Sequence, residues 1–99
     1  MIHKEPMPDG AHVLVTFELP SAIWAERVNL VGDFNNWDTT HDEMRQGRSD
    51  GNWRITLMLE RGKEYQFRYL VNGRDWHNDW HADKYAPNEY GTDNSVVVT

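Results

Sequence analysis

Two groups of residues in this chain have types and spacings that could support chemistry. In the first, HNDWHADKY (77–85), His77 and His81 stand four residues apart with Asp79 and Asp83 interleaved. On a helix that interval turns both imidazoles the same way, as zinc sites require. The glutamate of the metalloprotease motif is missing, and Asn72-Gly73 and Pro87 bracket the region as loop, so these read as solvated loop histidines. His3, His12 and His41 have no spacing that helps, and no Asp-rich loop of EF-hand pattern is present. With no cysteine there is no thiol nucleophile, thiolate metal site or disulfide framework. Sixteen acidic residues make chance carboxylate pairs inevitable. A two-carboxylate glycosidase, however, holds its pair across a cleft, and a small domain has little material for one. No enzymatic activity, metal or cofactor is expected.

The second group is aromatic. Five tryptophans, four tyrosines and three phenylalanines in 99 residues exceed the needs of a small core. Trp53, Tyr65, Phe67 and Tyr69 fall in phase with aliphatic positions, and packing accounts for them; Phe17 and Phe34 are placed with them. Trp24, in SAIWAERV, fits either the core or a lid at one end of the domain. Trp37, Trp76, Trp80, Tyr85 and Tyr90 differ, because they fall in turns or long loops beside Asn, Asp, His and Gly. Such rings either fold down as lids or stand out as platforms for a flat, hydroxylated ligand. A ring face covers the C–H face of a sugar, while amides and guanidinium groups satisfy the hydroxyl rim, which is costly to bury unpaired.

The elements that must hold these side chains are strands. AHVLVTFELP (11–20) alternates Val13, Val15, Phe17 and Leu19 against Leu14, Thr16 and Glu18, and Pro20 stops it. RVNLVG (27–32) turns Val28 and Leu30 inward. NWRITLMLE (52–60) sets Trp53, Ile55, Leu57 and Leu59 against Arg54, Thr56 and Met58. EYQFRYLV (64–71) sets Tyr65, Phe67, Tyr69 and Val71 against Gln66, Arg68 and Leu70, and NSVVVT (94–99) closes the set. Asp50-Gly51, Arg61-Gly62 and Asn72-Gly73 are turn signals, Asn-Gly suiting a type I′ hairpin. Short strands with turns at this spacing predict an all-β sandwich in a single domain over 1–99. Only a turn near 79–85 has any helical character.

The formal charge of −6, with ten lysines and arginines scattered rather than striped, argues against nucleic acid and against an anionic membrane surface. The first thirty residues contain no basic segment followed by an apolar run, so a cytoplasmic location is the expectation.

With the motifs in view, the chain resembles the family 48 carbohydrate-binding modules, the isoamylase N-terminal "early set" immunoglobulin-like domains. These include the glycogen-binding domain of the AMP-activated protein kinase β subunit. VNLVGDFNNWD resembles the family's strand followed by Gly-x-Phe-Asn-x-Trp. Met44 and the block DGNWRITLMLERGKEYQFRYLVNG resemble its strand–turn–strand segment, and EYGTDNSVVVT resembles its Gly-x-x-Asn-x-Val ending. The resemblance covers about residues 26–99. It implies an immunoglobulin-like β-sandwich that binds α-1,4-linked glucan (glycogen, starch or maltooligosaccharide) without catalysing its turnover. By motif it places the stacking tryptophans at Trp37 and Trp76, the basic position at Arg68, the asparagine at Asn94 and a supporting hydroxyl at Thr92. The family's aliphatic loop position falls on Tyr90, a departure that adds a third stacking face or blocks a tightly curved ligand. Strand phase supports Arg68 separately, since it lies opposite Phe67 and Tyr69 and so faces away from the core. The alternative is a protein-interaction or scaffold domain of the same fold, acting with a separate glucan-active enzyme and binding glucan weakly itself; aromatic and arginine clusters also make interface hot spots.

Overall fold

The period-two runs form strands because each offers one apolar face to a facing sheet. A computed structural model describes all of residues 1–99. Ten strands follow in order: β1 (Ile2–Pro6), β2 (His12–Leu19), β3 (Val28–Gly32), β4 (Asp42–Glu43), β5 (Arg45–Gln46), β6 (Trp53–Glu60), β7 (Glu64–Val71), β8 (Asp75–His77), β9 (Lys84–Pro87) and β10 (Asp93–Val98). One sheet has the order β1-β2-β6-β5 and the other β4-β3-β7-β10-β9, with β8 also paired to β7; every pairing is antiparallel. This is the all-β sandwich that the alternation predicted, of the immunoglobulin-like kind that the resemblance implied.

The interior sits between β2 and the β3–β7 pair. Val13, Val15, Phe17 and Leu19 meet Val28, Leu30, Phe67, Tyr69 and Val71, all buried. Phe17 and Phe67 pack edge to face at 4.9 Å, and Phe67 and Tyr69 do so at 5.6 Å, geometries that suit the ring quadrupole. Trp53 is buried with them, and Tyr65 and Phe34 pack against the cluster. Met44 is buried where the chain leaves β4 in one sheet for β5 in the other, so it fills the gap at the crossing.

Four expectations need correction. The region before residue 26 holds two strands, β1 and β2, not only the one expected over 11–20. β1 shows no alternation because it is an edge strand with only Ile2 partly buried. Trp24 is neither core nor lid, being 95% exposed in the segment between β2 and β3. Trp76 and Tyr85 lie on strands β8 and β9 and not in loops. Segments of three or four residues are too short to display a period, and only pairing to β7 and β10 makes them strands. His77 also belongs to β8, opposite Tyr69. Finally, Leu70, expected on the solvent side of β7, is buried, as are Val31 and Val96 on that same face. The outer face of this sheet is therefore not simply open to water.

Candidate functional site

The site is built on that outer face. In antiparallel pairs, residues directly opposite one another share a face, and the register reads Val31↔Arg68, Leu70↔Trp76, Val96↔Gln66. Gln66, Arg68 and Trp76 thus point the same way, with Asn94 beside them two residues before Val96. β7 is flanked by β3 on one edge and by β10 and β8 on the other. Trp37 comes off the end of β3 and Trp76 sits on β8, leaving Arg68 between them.

The turn that presents Trp37 explains each residue of GDFNNW. Gly32 has no room for a side chain, since a Cβ there would lie 2.5 Å from the Gln66 carbonyl oxygen and 2.8 Å from Phe67 Cβ. Phe34 turns inward against Phe17, Phe67 and Tyr65. Asn35 is buried, and its Oδ1 accepts from Gly32 N at 3.1 Å. Its Nδ2 donates to the Leu30 carbonyl at 2.9 Å and to Asp42 at 2.8 Å. Asp33–Asn35 form one 3₁₀ turn, after which Asn36 and Trp37 both take left-handed backbone, at φ 56° and 58°. Asparagine tolerates that region, but a bulky residue there costs on the order of 1–3 kcal/mol and persists only where its surroundings over-determine it. Here they do: Trp37 N donates to the Gly32 carbonyl at 2.9 Å, and its indole Nε1 donates to Asp33 Oδ1 at 2.9 Å. With the indole edge tied down, a ring face is what Trp37 offers.

The Asn72-Gly73 hairpin sets Trp76. Both residues have positive φ, 55° and 71°, as a type I′ turn requires, and Arg74 N closes it on the Val71 carbonyl at 3.2 Å. Asn72 Oδ1 also accepts from Glu26 N and Arg27 N, which ties the hairpin to the segment before β3. Trp76 is 41% exposed.

A third segment, the turn between β9 and β10, is organised by Asn88. Its Oδ1 accepts from Tyr90 N at 2.9 Å and Thr92 N at 3.2 Å, while its Nδ2 reaches Thr92 Oγ1 at 2.8 Å and Asn94 Oδ1 at 3.2 Å. Asn94 in turn donates to Gln66 Oε1 at 3.0 Å. Asn94 is buried, with each end of its amide already engaged, so one N–H and one lone pair are left for a ligand. Tyr90 stands at the tip of the turn, 82% exposed.

Together these segments line a concavity of about 920 Å³. All six residues singled out from the sequence, Trp37, Arg68, Trp76, Tyr90, Thr92 and Asn94, lie on its wall. Trp80 and Tyr85 do not, and the Tyr85 hydroxyl is spent on the Asp79 carbonyl at 2.5 Å. The wall also contains Asp33, Gln66 and Asn88, which the sequence reading missed. Each had a signal: Gln66 shares the outward phase of Arg68, and Asn88-x-x-Gly91 is a type I turn pattern. Asp33 precedes Trp37 by four residues in a tight turn.

Arg68 forms no ion pair, and its buried Nε makes no hydrogen bond within the protein. Of the carboxylates on the wall, Asp33 has both oxygens engaged, by Trp37 Nε1 and by Gln66 N at 2.8 Å. The concavity therefore combines ring faces, an uncommitted guanidinium and a chain of amides, groups that match a ligand with flat apolar faces and a hydroxyl rim.

Comparison with known proteins gives a matching picture. The chain is 39% identical over 59 residues to the 1,4-α-glucan branching enzyme GlgB of Shewanella sp. (strain MR-4), an alignment covering 56% of this chain and 8% of the enzyme. It is 42% identical over 69 residues to GlgB 2 of Xanthomonas campestris pv. campestris (strain 8004), covering 63% and 9%. Over 33 residues it is 61% identical to the branching enzyme of Saccharomyces cerevisiae, covering 33% and 5%. It thus spans less than a tenth of the length of these relatives. The crystal structure of the enterobactin esterase FES from Shigella flexneri superposes with a TM-score of 0.75 over 98% of this chain and 32% of the esterase; at 14% identity this is a likeness of fold alone. The family model for carbohydrate-binding module 48 (isoamylase N-terminal domain) matches residues 10–86, and the chain belongs to that family.

Proposed function

We propose that this chain is a non-catalytic α-glucan-binding module that takes glycogen- or starch-type chains on the outer face of the β3–β7–β10 sheet. Glucose units stack on Trp37 and Trp76, Arg68 and Asn94 bond hydroxyls between them, and Thr92 and Tyr90 close the side formed by the β9–β10 turn. The observation that carries this reading is the convergence of all six residues, from four separate parts of the sequence, on one concavity. Family membership and the α-glucan named in its enzyme relatives support the ligand class.

Magnitudes set the expected affinity. Two stacked indoles, each removing on the order of 100 Å² of apolar surface, give roughly 5 kcal/mol gross at about 25 cal/mol/Å². Ordering and rigid-body losses offset part of this. A dissociation constant of about 0.01–1 mM for a short oligosaccharide follows, and tighter binding to polymer through multivalency. Titration with maltoheptaose, followed by tryptophan fluorescence and amide shifts, tests the reading. Saturation in that range supports it; no change at millimolar sugar overturns it, as does unchanged affinity in a folded Trp37→Ala, Trp76→Ala double variant.

The second reading, a scaffold domain working with a separate glucan-active enzyme, draws support from Trp24, which is 95% exposed and does not line the concavity. It predicts that a glucan-bead pull-down leaves the protein in solution while a specific protein partner co-purifies.

A further inference from the structure

Trp80 takes no part in the site above, yet it is held with unusual care. Its neighbour Asp79 is fully buried and accepts hydrogen bonds from the Tyr69 hydroxyl at 2.7 Å and from His81 N at 2.8 Å. Asp79 N donates to Ser95 Oγ at 2.9 Å, and its carbonyl accepts from the Tyr85 hydroxyl. On the other side of Asp79, Asn78 Oδ1 accepts from Ser95 N and Ser95 Oγ, and its Nδ2 donates to the Asp93 carbonyl. The backbone is thus pinned immediately before and after Trp80, whose ring is nevertheless 72% exposed. A ring mounted on a fixed frame loses little freedom when something stacks on it.

Trp80 borders a second concavity, of about 240 Å³, that shares no residue with the first. Ile23, Pro20 and Leu19 supply apolar wall, while Asn52, Glu18 and the His81 ring supply polar groups. Asn52 is oriented by accepting from Ser21 N at 2.9 Å, and the His81 ring makes no hydrogen bond within the protein. The volume falls below the roughly 300 Å³ at which pockets for drug-sized ligands begin, so it suits a sugar ring or two and not a long segment.

We infer that this concavity is a second carbohydrate subsite, in which one glucose unit stacks on Trp80 and turns its hydroxyls to Asn52, Glu18 and His81. The choice of glucose rests on the α-glucan reading of the first site; the subsite itself is separate. Trp76 and Trp80 are four residues apart, so their Cα atoms lie within about 14 Å of each other even if the segment were fully extended. A branched or long glucan can therefore engage both sites at once.

The test is an NMR titration of the ¹⁵N-labelled chain with maltotriose, reading the tryptophan indole and amide resonances separately. Trp80 Nε1 and the His81 and Asn52 amides should shift along a saturation curve distinct from that of Trp37 and Trp76. Trp80→Ala should abolish those shifts and leave the Trp37 and Trp76 curve unchanged, which also shows the variant folded. The same variant should lose about tenfold in retention on immobilised glycogen, as removal of one of two linked sites predicts. If Trp37 and Trp76 respond while Trp80 stays still at 10-fold the sugar concentration that saturates them, the second subsite is refuted and the first stands. If the Trp80-region shifts survive Trp80→Ala, or if Trp80 moves only on adding a second protein, the subsite is likewise refuted. Silence at all three indoles overturns both readings together.

Discussion

Asp33 joins Trp37 to the central strand of the site. One carboxylate oxygen accepts from the Trp37 indole at 2.9 Å and the other from Gln66 N at 2.8 Å, so a single side chain locks the platform to β7, the strand that also carries Arg68. Asp33→Ala removes both bonds. It should cost about 1–2 kcal/mol of stability, from the loss of two charge-assisted hydrogen bonds at a partly solvated position. It should also weaken maltoheptaose binding about 3- to 10-fold by releasing the ring. Urea denaturation and a calorimetric titration read the two effects; unchanged affinity would mean that the indole holds its pose without the carboxylate.

Arg68→Ala should weaken sugar binding about tenfold while barely moving the unfolding midpoint, because the guanidinium has no protein partner to lose and hydrogen bonds from a charged donor are worth about 1.5–3 kcal/mol. Arg68→Lys should recover only part of that loss, since an ammonium lacks the planar fork. Full recovery in the lysine variant would show that charge alone matters.

Asn88→Ala should free the Tyr90 turn. Five hydrogen bonds to the turn or to Asn94 involve that amide. Amide resonances of residues 89–92 should broaden or collapse toward random-coil positions, and affinity should fall about 3-fold or more from the added ordering cost. Sharp, dispersed signals there would contradict the assigned role.

Gly32→Ala should be among the most destabilising single changes in the chain, by about 2–4 kcal/mol, because its Cβ meets backbone and the root of Phe67 and not a flexible side-chain end. Thermal unfolding measures it directly.

Stability should also fall at alkaline pH. Burial first, and the Asp79 carboxylate second, push the Tyr69 phenol well above its ordinary value of 10.0. The folded chain therefore holds this proton more tightly than the unfolded chain does. The resulting contribution is fully present below pH 10.0 and is lost as the pH rises from there through the folded-state value. Denaturation midpoints measured between pH 8 and 11 should decline beyond 10, and Tyr69→Phe should flatten that decline.

The amino-acid sequence alone determined the sandwich and its inner face. Val13 to Leu19 and Tyr65 to Tyr69 show a period of two, and Asn72-Gly73 carries its own backbone requirement; such patterns are local and survive without any partner. Six of the residues on the concavity's wall were legible too, Arg68 by its outward phase and the others through the motifs that carry the family resemblance. Tertiary structure decided everything that depends on what lies across a gap. β8 and β9 are strands only because β7 and β10 pair with them, and Leu70 is buried although its phase points outward. Asn94, the asparagine that the resemblance assigns to the site, spends much of its amide on Gln66 and Asn88. Trp24 and Trp80 are both exposed, and only Trp80 has a buried, hydrogen-bonded Asp79 beside it. A period records which way a side chain points; burial and hydrogen-bond partners depend on chain segments brought together from far apart, and no local pattern encodes them.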